Sequence, residues 1–325
     1  MRPDTPEPVT VVGLGAGGWP DLSGTAQVAL RDAAVIFGSP RQLALLPGSV
    51  SGARRAWPSP MLPALPGLFE AERDHRVAVL ASGDPMFHGI GATLARVLGP
   101  ERLRVLPHPS SVSLAAARLG WDLARTDVVS LVTAPVAALG RVVNPGRRIL
   151  VLSSGADTPA AVAAHLTARG YPSALVTVLE QLGGPDERVV SGSAGDWAMP
   201  AGDPLNVIAV ECGDGPRLPV VPGLPDGAYE TDGQLTKREV RAVTLAALAP
   251  APGELLWDVG AGSAAGRSVL PGGGGRVGRR PGRHDHRERR RPRGAPPAGR
   301  ARARPGGAGG PAHPRHDLHR GRRDT

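Results

Sequence analysis

The chain has 325 residues, room for two ordinary domains, and a formal charge of +9 from 38 Lys+Arg against 29 Asp+Glu. A single cysteine, Cys212, excludes a disulfide framework and a multi-cysteine metal cluster. No apolar run reaches the roughly 18 residues that span a bilayer, and Met1-Arg2-Pro3-Asp4 is followed by no signal-peptide core, so the expectation is a cytoplasmic protein with no membrane partner.

The charge is unevenly spread. Residues 264–325 hold 17 Arg and 4 acidic residues, a charge of +13, whereas residues 1–263 carry 21 basic and 25 acidic residues, a charge of −4. The body of the protein is therefore mildly acidic. Arg outnumbers Lys 37 to 1, the mark of a GC-rich coding sequence, which weakens any reading of Arg as a chosen residue.

In chain order, Val9-Thr10-Val11-Val12-Gly13-Leu14 predicts a buried strand that enters a glycine loop, Gly13-Leu14-Gly15-Ala16-Gly17-Gly18. That loop either brings backbone close to a ligand or is a tight turn and nothing more. Residues 23–32 have helical spacing, Val35-Ile36-Phe37 is a short strand, and Val77-Ala78-Val79-Leu80-Ala81 is a third strand ending in Ser82-Gly83-Asp84-Pro85. Residues 91–98 and 111–119 are helical on either side of the strand Leu103-Arg104-Val105-Leu106. A second set of strands follows at 127–132, 148–152, 174–179 and 205–210, with a helix over 158–169. This alternation predicts an α/β fold of two subdomains, about 1–108 and 109–212, meeting at a loop-lined cleft.

Residues 213–225, rich in Pro and Gly, read as a linker. Residues 226–263 then give a helix, a turn, a strand and the loop Asp258-Val259-Gly260-Ala261-Gly262-Ser263, the opening of a Rossmann-like domain. Residues 264–325 contain only two Leu, two Val and no aromatic residue, against 14 Gly and 8 Pro. Such a segment has no core to offset its ordering entropy, so a disordered tail is expected.

Among the chemistry-bearing motifs, Ser82-Gly83-Asp84-Pro85-Met86-Phe87-His88 combines backbone groups, a carboxylate and an aromatic ring at a strand end. A carboxylate and an aromatic face suit a sulfonium or a base; a Gly-Asp-Pro turn also occurs without function. His88 reads as a loop hydrogen-bonder, Ser110 as a helix N-cap, Glu180 as a ligand contact or a solvated loop residue, and Cys212 as a small hydrophobe.

The motifs Val11-Val12-Gly13-Leu14-Gly15, Ser82-Gly83-Asp84-Pro85, Pro109-Ser110-Ser111 and Leu179-Glu180-Gln181-Leu182-Gly183, in this order and spacing, resemble the tetrapyrrole (corrin/porphyrin) methylase family. Thr236-Lys237-Arg238-Glu239-Val240-Arg241, followed by Leu256-Trp257-Asp258-Val259-Gly260-Ala261-Gly262-Ser263, resembles the start of the second methyltransferase domain fused to some members. The resemblance implies S-adenosylmethionine (SAM) as cofactor, with Ser82, Gly83, Asp84 and Phe87 on the main cofactor loop and Ser110 and Ser111 on the next. Leu152, Glu180 and Asn206 fall near later contacts. In the second domain Thr236, Gly260, Ala261, Gly262 and Ser263 match cofactor positions, but the third loop glycine is Ala264 and no acidic ribose-binding residue follows.

The implied reaction is methylation of a ring carbon of a precorrin-6 type reduced tetrapyrrole in cobalamin biosynthesis. In fused members the first domain methylates C5, and the second methylates C15 and removes the C12 acetate carboxyl. This chain is expected to keep at most the first activity. Methylation at another precorrin position, or a non-enzymatic truncation product, are the alternatives. The resemblance also implies a homo-oligomer; no metal is expected, and no general base is nominated.

The match to the second domain stops within one residue of Ser263, where Arg/Gly/Pro-rich sequence begins. GC-rich genes read out of frame give such sequence, so we read residues 264–325 as a frameshift product. The competing reading is a nucleic-acid arm, which would be nonspecific and salt-sensitive and lacks aromatic residues for base stacking. Resequencing the locus tests the frameshift: if no alternative frame after codon 263 encodes an apolar α/β continuation, the reading is wrong.

Overall fold

The computed structural model describes residues 7–218, 222–228 and 235–249. The expectations placed on residues 250–325, including the 260–263 glycine loop and the basic tail, lie outside the described residues.

The first sheet is built from β1 (Val9–Leu14), β2 (Val35–Gly38), β3 (Ala53–Ala56), β4 (Val77–Ser82) and β5 (Leu103–Leu106), all parallel, in the order β3-β2-β4-β1-β5. The helices α1 (Gly24–Arg31), α2 (Pro40–Ala44), α3 (Leu65–Ala71) and α4 (Ile90–Leu98) connect its strands. The central strands β1, β2 and β4 are continuous apolar runs because helices cover both faces. Val12, Leu14, Ile36, Ala78 and Leu80 pack on one face with Leu22, Ala26 and Leu30 around α1. Val11, Val35, Phe37, Val77 and Val79 pack on the other with Leu65 and Phe69 of α3 and Leu94 of α4.

This strand order sets the position of the site. β1 leads through α1 to β2 on one side, and β4 leads through α4 to β5 on the other. Right-handed crossovers in opposite directions put their helices on opposite faces. A crevice is left outside the carboxyl ends of the adjacent strands β1 and β4.

The second sheet contains β6 (Asp127–Ser130), β7 (Arg148–Leu152), β8 (Leu175–Glu180), β9 (Arg188–Ser193) and β10 (Asn206–Glu211), in the order β6-β7-β10-β8-β9. Only the β6–β7 pair is parallel. Ile149, Val151, Val176, Ile208 and Val210 face Val162, Ala163 and Leu166 of α6 (Thr158–Ala168), and Cys212 is buried in the same cluster. Leu150, Leu179, Val207 and Ala209 face Val112, Ala115 and Ala116 of α5 (Ser111–Leu119). Beyond this sheet, α7 (Arg238–Leu248) is tied to the preceding segment by Arg241, whose guanidinium donates to Leu224 O at 2.7 Å and pairs with Asp226 at 2.7 Å.

Each predicted strand and helix of residues 9–211 is present, with ends shifted by one or two residues. Four elements were not anticipated. β3 reads Ala53-Arg54-Arg55-Ala56 and is exposed at all four positions, so it carries no apolar signal. β9 is an edge strand with no buried position and contains Gly192, and α2 and α3 are short helices with proline in the first turn.

The loop after β8 is held to α5 by one clamp. Arg118 donates through Nε to Glu187 Oε1 at 2.5 Å and through Nη2 to Oε2 at 2.9 Å, while Gly183 N donates to Oε2 at 2.7 Å. The Arg118 hydrogen bond, helped by the Gly183 N–H and against partial burial, holds the Glu187 carboxyl below its usual range. A depressed carboxyl contributes stability above its unfolded value of 4.5 and loses it as pH falls through the folded value. Glu187→Gln should therefore lower the melting temperature at neutral pH, and the deficit should shrink as pH falls below 4.5 and the wild-type carboxyl takes up its proton. A deficit independent of pH in thermal melts would show that the clamp does not act through this charge.

Candidate functional site

A cleft of about 680 Å³ lies outside the carboxyl ends of β1 and β4 and is completed by residues of the second sheet. That volume falls in the range of cofactor-sized pockets, ~300–1,000 Å³. Three strand ends form its base, and they interlock where side chains are missing. Gly83 N donates to Leu14 O at 3.0 Å, joining the β4 and β1 ends. A Cβ on Gly13 would lie 2.1 Å from Gly83 O and 2.6 Å from His108 N, and a Cβ on Gly15 would lie 2.8 Å from His108 Cε1. Gly83 itself has φ 56 and would place a Cβ 3.2 Å from Ser110 Cα. Gly17 has the same character toward the second half: its Cβ would meet Asp21 Oδ2, and Gly183 O at 2.7 Å. Gly13 and Gly17 therefore make room for protein; of this loop, Leu14, Gly15 and Ala16 reach the cleft.

The six first-domain residues expected at a cofactor site, Ser82, Gly83, Asp84, Phe87, Ser110 and Ser111, all line this one cleft. Each has a local reason for its place. Ser82 ends β4, and its Oγ accepts from Gln42 Nε2 at 3.1 Å. Asp84 Oδ1 accepts from Met86 N at 2.8 Å, a turn bond that leaves Oδ2 without a partner among the described residues. Phe87 is exposed and meets the His88 ring edge-on, centroids 4.8 Å apart; His88 has φ 55 and also lines the cleft. Ser110 caps α5, its Oγ accepting from Ser113 N at 3.1 Å, so the capping role coexists with a position on the cleft.

Of the later positions, Leu152 and Asn206 line the cleft and Glu180 does not. Glu180 is not a solvated loop residue: it ends β8 and is buried, accepting from Arg188 Nε at 2.6 Å and from Asp203 N at 3.0 Å. It fixes the loop that leads into Asn206. The Asn206 amide donates to Asp203 O at 2.8 Å and Gly155 O at 3.4 Å, which fixes its orientation, because a flipped amide would set oxygen against two carbonyls. Its Oδ1 is buried and has no partner among the described residues. Thr236 is exposed ahead of α7, does not line the cleft, and its carbonyl accepts from Arg241; Gly260, Ala261, Gly262 and Ser263 lie outside the described residues.

The sequence reading missed Arg41, Gln42, Trp57 and Met61, which also line the cleft. They sit on or beside α2, β3 and α3, the elements that reading did not contain. The one available signal was Ser39-Pro40-Arg41-Gln42, a capping box in which Gln42 N donates to Ser39 Oγ at 3.3 Å and Ser39 N to Gln42 Oε1 at 2.8 Å.

The sequence profile of the tetrapyrrole (corrin/porphyrin) methylases matches residues 8–198, more than half of the chain. The chain belongs to this family. The profile of a precorrin methyltransferase domain matches residues 227–266 of this tetrapyrrole methylase. A precorrin-6Y C(5,15)-methyltransferase [decarboxylating] of Mycobacterium tuberculosis is 50% identical over 261 residues, 79% of this chain and 65% of that protein. The chain thus spans about two thirds of the length of that relative. A cobalt-precorrin-7 C(5)-methyltransferase of Salmonella typhimurium is 31% identical over 202 residues, 59% of this chain and 96% of that protein. Among solved structures, a precorrin-6Y methylase of cobalamin biosynthesis from Archaeoglobus fulgidus superposes with TM-score 0.50 at 27% identity, covering 63% of this chain and 97% of that one. No described helix of this tetrapyrrole methylase is long and apolar enough to cross a membrane, and no group of three or more His, Cys, Asp or Glu that could hold a metal ion occurs among the described residues.

The interlock has a measurable cost when filled. Gly13→Ala should destabilise the protein by roughly 1–3 kcal/mol, because the methyl meets backbone atoms that cannot swing away. Gly24→Ala in α1, where a Cβ meets nothing within 4 Å, should be neutral or mildly stabilising. Denaturant unfolding compares the two, and equal effects would dismiss the interlock.

Proposed function

We propose that this chain is a SAM-dependent methyltransferase that methylates a precorrin at C5. One observation carries the reading: residues from three separate loops, Ser82 to Phe87, Ser110-Ser111 and Asn206, line a single cleft of cofactor size at the topological switch point. The choice of C5 rests on names and coverage. The relative that is covered to 96% bears the name C(5)-methyltransferase, whereas the longer relative, covered to 65%, bears C(5,15). This chain thus spans nearly all of a protein named for C5 alone and only part of one named for both positions.

The residues present fit the cofactor. Asn206 Oδ1 is an unpaired acceptor, suited to an N–H or O–H donor such as an exocyclic amine. Asp84 keeps one carboxylate oxygen without a protein partner, and Phe87 offers an exposed ring. A carboxylate and an aromatic face both favour a sulfonium. When bound, SAM supplies a methyl already activated by positive sulfur, so a nucleophilic ring carbon gains the methyl, the sulfur leaves as a neutral thioether, and the product gives up one proton. The protein's own part is then positioning. Ser82, Gly83 and Ser110 hold the loops in register, and the apolar residues Leu80, Leu114, Leu179 and Leu182 limit water in the cleft.

The test is SAM binding by calorimetry and methyl transfer to the precorrin followed by mass spectrometry. Wild type should bind SAM, and Asp84→Asn should weaken binding by about tenfold, the loss of one charge-assisted contact. The product should gain one methyl. No SAM binding by wild type would end the reading. A product carrying two methyls and lacking one carboxyl would overturn the single methylation.

A further inference from the structure

The proton that a methylated ring gives up must reach a base. A ring carbon attacks the methyl with a π pair: a C–C bond forms, the S–CH3 bond breaks with its pair going to sulfur, and the ring is left as a cation. Loss of one proton returns a pair to the ring, and a positioned base speeds that loss. Among the described residues, Arg41, Asp84 and His88 are the lining residues of the cleft with acidic or basic side chains. A guanidinium holds its proton, and Asp84 is the group assigned to the sulfonium. An imidazole is the side chain that takes up and releases a proton between about pH 5 and 8.

The sequence suggested that His88 is a loop hydrogen-bonder, and the structure differs. Neither ring nitrogen of His88 has a hydrogen-bond partner among the described residues, and the side chain is exposed, so one nitrogen is an open acceptor in contact with solvent. The ring is nonetheless placed. Phe87 meets it edge-on, with centroids 4.8 Å apart and planes at 79°. The turn that carries both is closed by Met86 N to Asp84 Oδ1 at 2.8 Å, Phe87 N to Asp84 O at 3.2 Å and Gly91 N to Pro85 O at 2.9 Å. A Cβ on Gly89 would lie 2.6 Å from Pro85 O, so the turn is tight beside His88 as well. His88 itself has φ 55, a left-handed backbone that persists only where its surroundings hold it and that gathers at active sites. His108, an imidazole on a neighbouring loop, is used differently: its ring packs against Gly15, its Nδ1 donates to Pro109 O at 3.1 Å, and it does not line the cleft.

We propose that His88 is the general base of the transfer: an imidazole nitrogen takes the proton from the methylated ring, and the imidazolium then releases it to solvent. This rests on the methyltransferase reading of the same cleft. The experiment is single-turnover methyl transfer across about pH 5 to 8, with SAM and the precorrin both saturating and the product followed by mass spectrometry. A base acts only when unprotonated, so the wild-type rate should fall toward acid pH, by about tenfold per unit on the acid limb. His88→Asn, which tolerates the left-handed backbone, should lose about hundredfold in rate and lose the acid limb. Added imidazole should restore part of that rate, and more of it as pH rises. SAM and precorrin affinities, measured by calorimetry on the same variant, should stay close to wild type and show that the site is folded. His88→Gln should behave as His88→Asn does.

A wild-type rate in His88→Asn overturns the proposal, as does an acid limb retained in that variant or a loss that imidazole does not rescue. Loss of SAM affinity in the variant would place His88 on the cofactor and overturn it too. Each of these outcomes leaves methyl transfer by wild type intact. No transfer by wild type would instead sink the methyltransferase reading and this proposal with it, so the two failures are distinguishable.

Discussion

The site depends on a steric constraint. Three strand ends converge within van der Waals reach of one another, and they can do so only where side chains are absent. Gly13 faces the Gly83 carbonyl and the His108 amide, Gly15 faces the His108 ring, and Gly83 lies on Ser110. The Gly83 N–H to Leu14 carbonyl bond of 3.0 Å joins two of these ends directly. The loops that line the cleft therefore position one another. At Gly13 and Gly83 a methyl group would displace its neighbours, because the nearest contacts there are to backbone and not to flexible side-chain tips.

The second half is fastened to this base by charge and by shape. Gly17 leaves space for the Gly183 carbonyl, and Gly183 is held by the Glu187 carboxylate that Arg118 clamps to α5. On the next strand the buried Glu180 anchors the 202–205 loop through Asp203 N, and that loop presents Asn206. Buried carboxylates are tolerable only when paired and hydrogen-bonded. Here Glu180 uses one bond at each oxygen on structure, to Arg188 Nε and Asp203 N. Its value to the cleft is indirect, through the residue it supports.

What the sequence made legible follows from how the strands are buried. β1, β2, β4, β7, β8 and β10 are apolar runs because both faces are covered, and these were readable without any structure. α1 was readable from its spacing, with Ser23 as its N-cap. Two of the four edge strands were not: β3 has an Arg-Arg centre and is exposed at every position, and β9 has no buried position, whereas the edges β5 and β6 are mostly half-buried and keep a readable apolar run. The same division governs the site. Ser82 to Phe87 follow a readable strand and a Gly-Asp-Pro turn, so their clustering could be anticipated. Arg41 and Trp57 hang from α2 and β3, elements that carry no apolar pattern of their own. The Gly13–Gly18 loop looked equally like a ligand cradle and a turn. Only the distances from each missing Cβ separate these, and they assign Gly13 and Gly17 to packing.

The polar groups of the cleft are set in place before any ligand arrives. Asp84 is held by the turn bond it accepts from Met86 N, and the Asn206 amide is turned by the Asp203 and Gly155 carbonyls so that its Oδ1 is left as an acceptor. In a partly desolvated pocket such groups act over longer distances than in water. Because the protein has already fixed them, orienting a ligand against them costs little at the moment of binding.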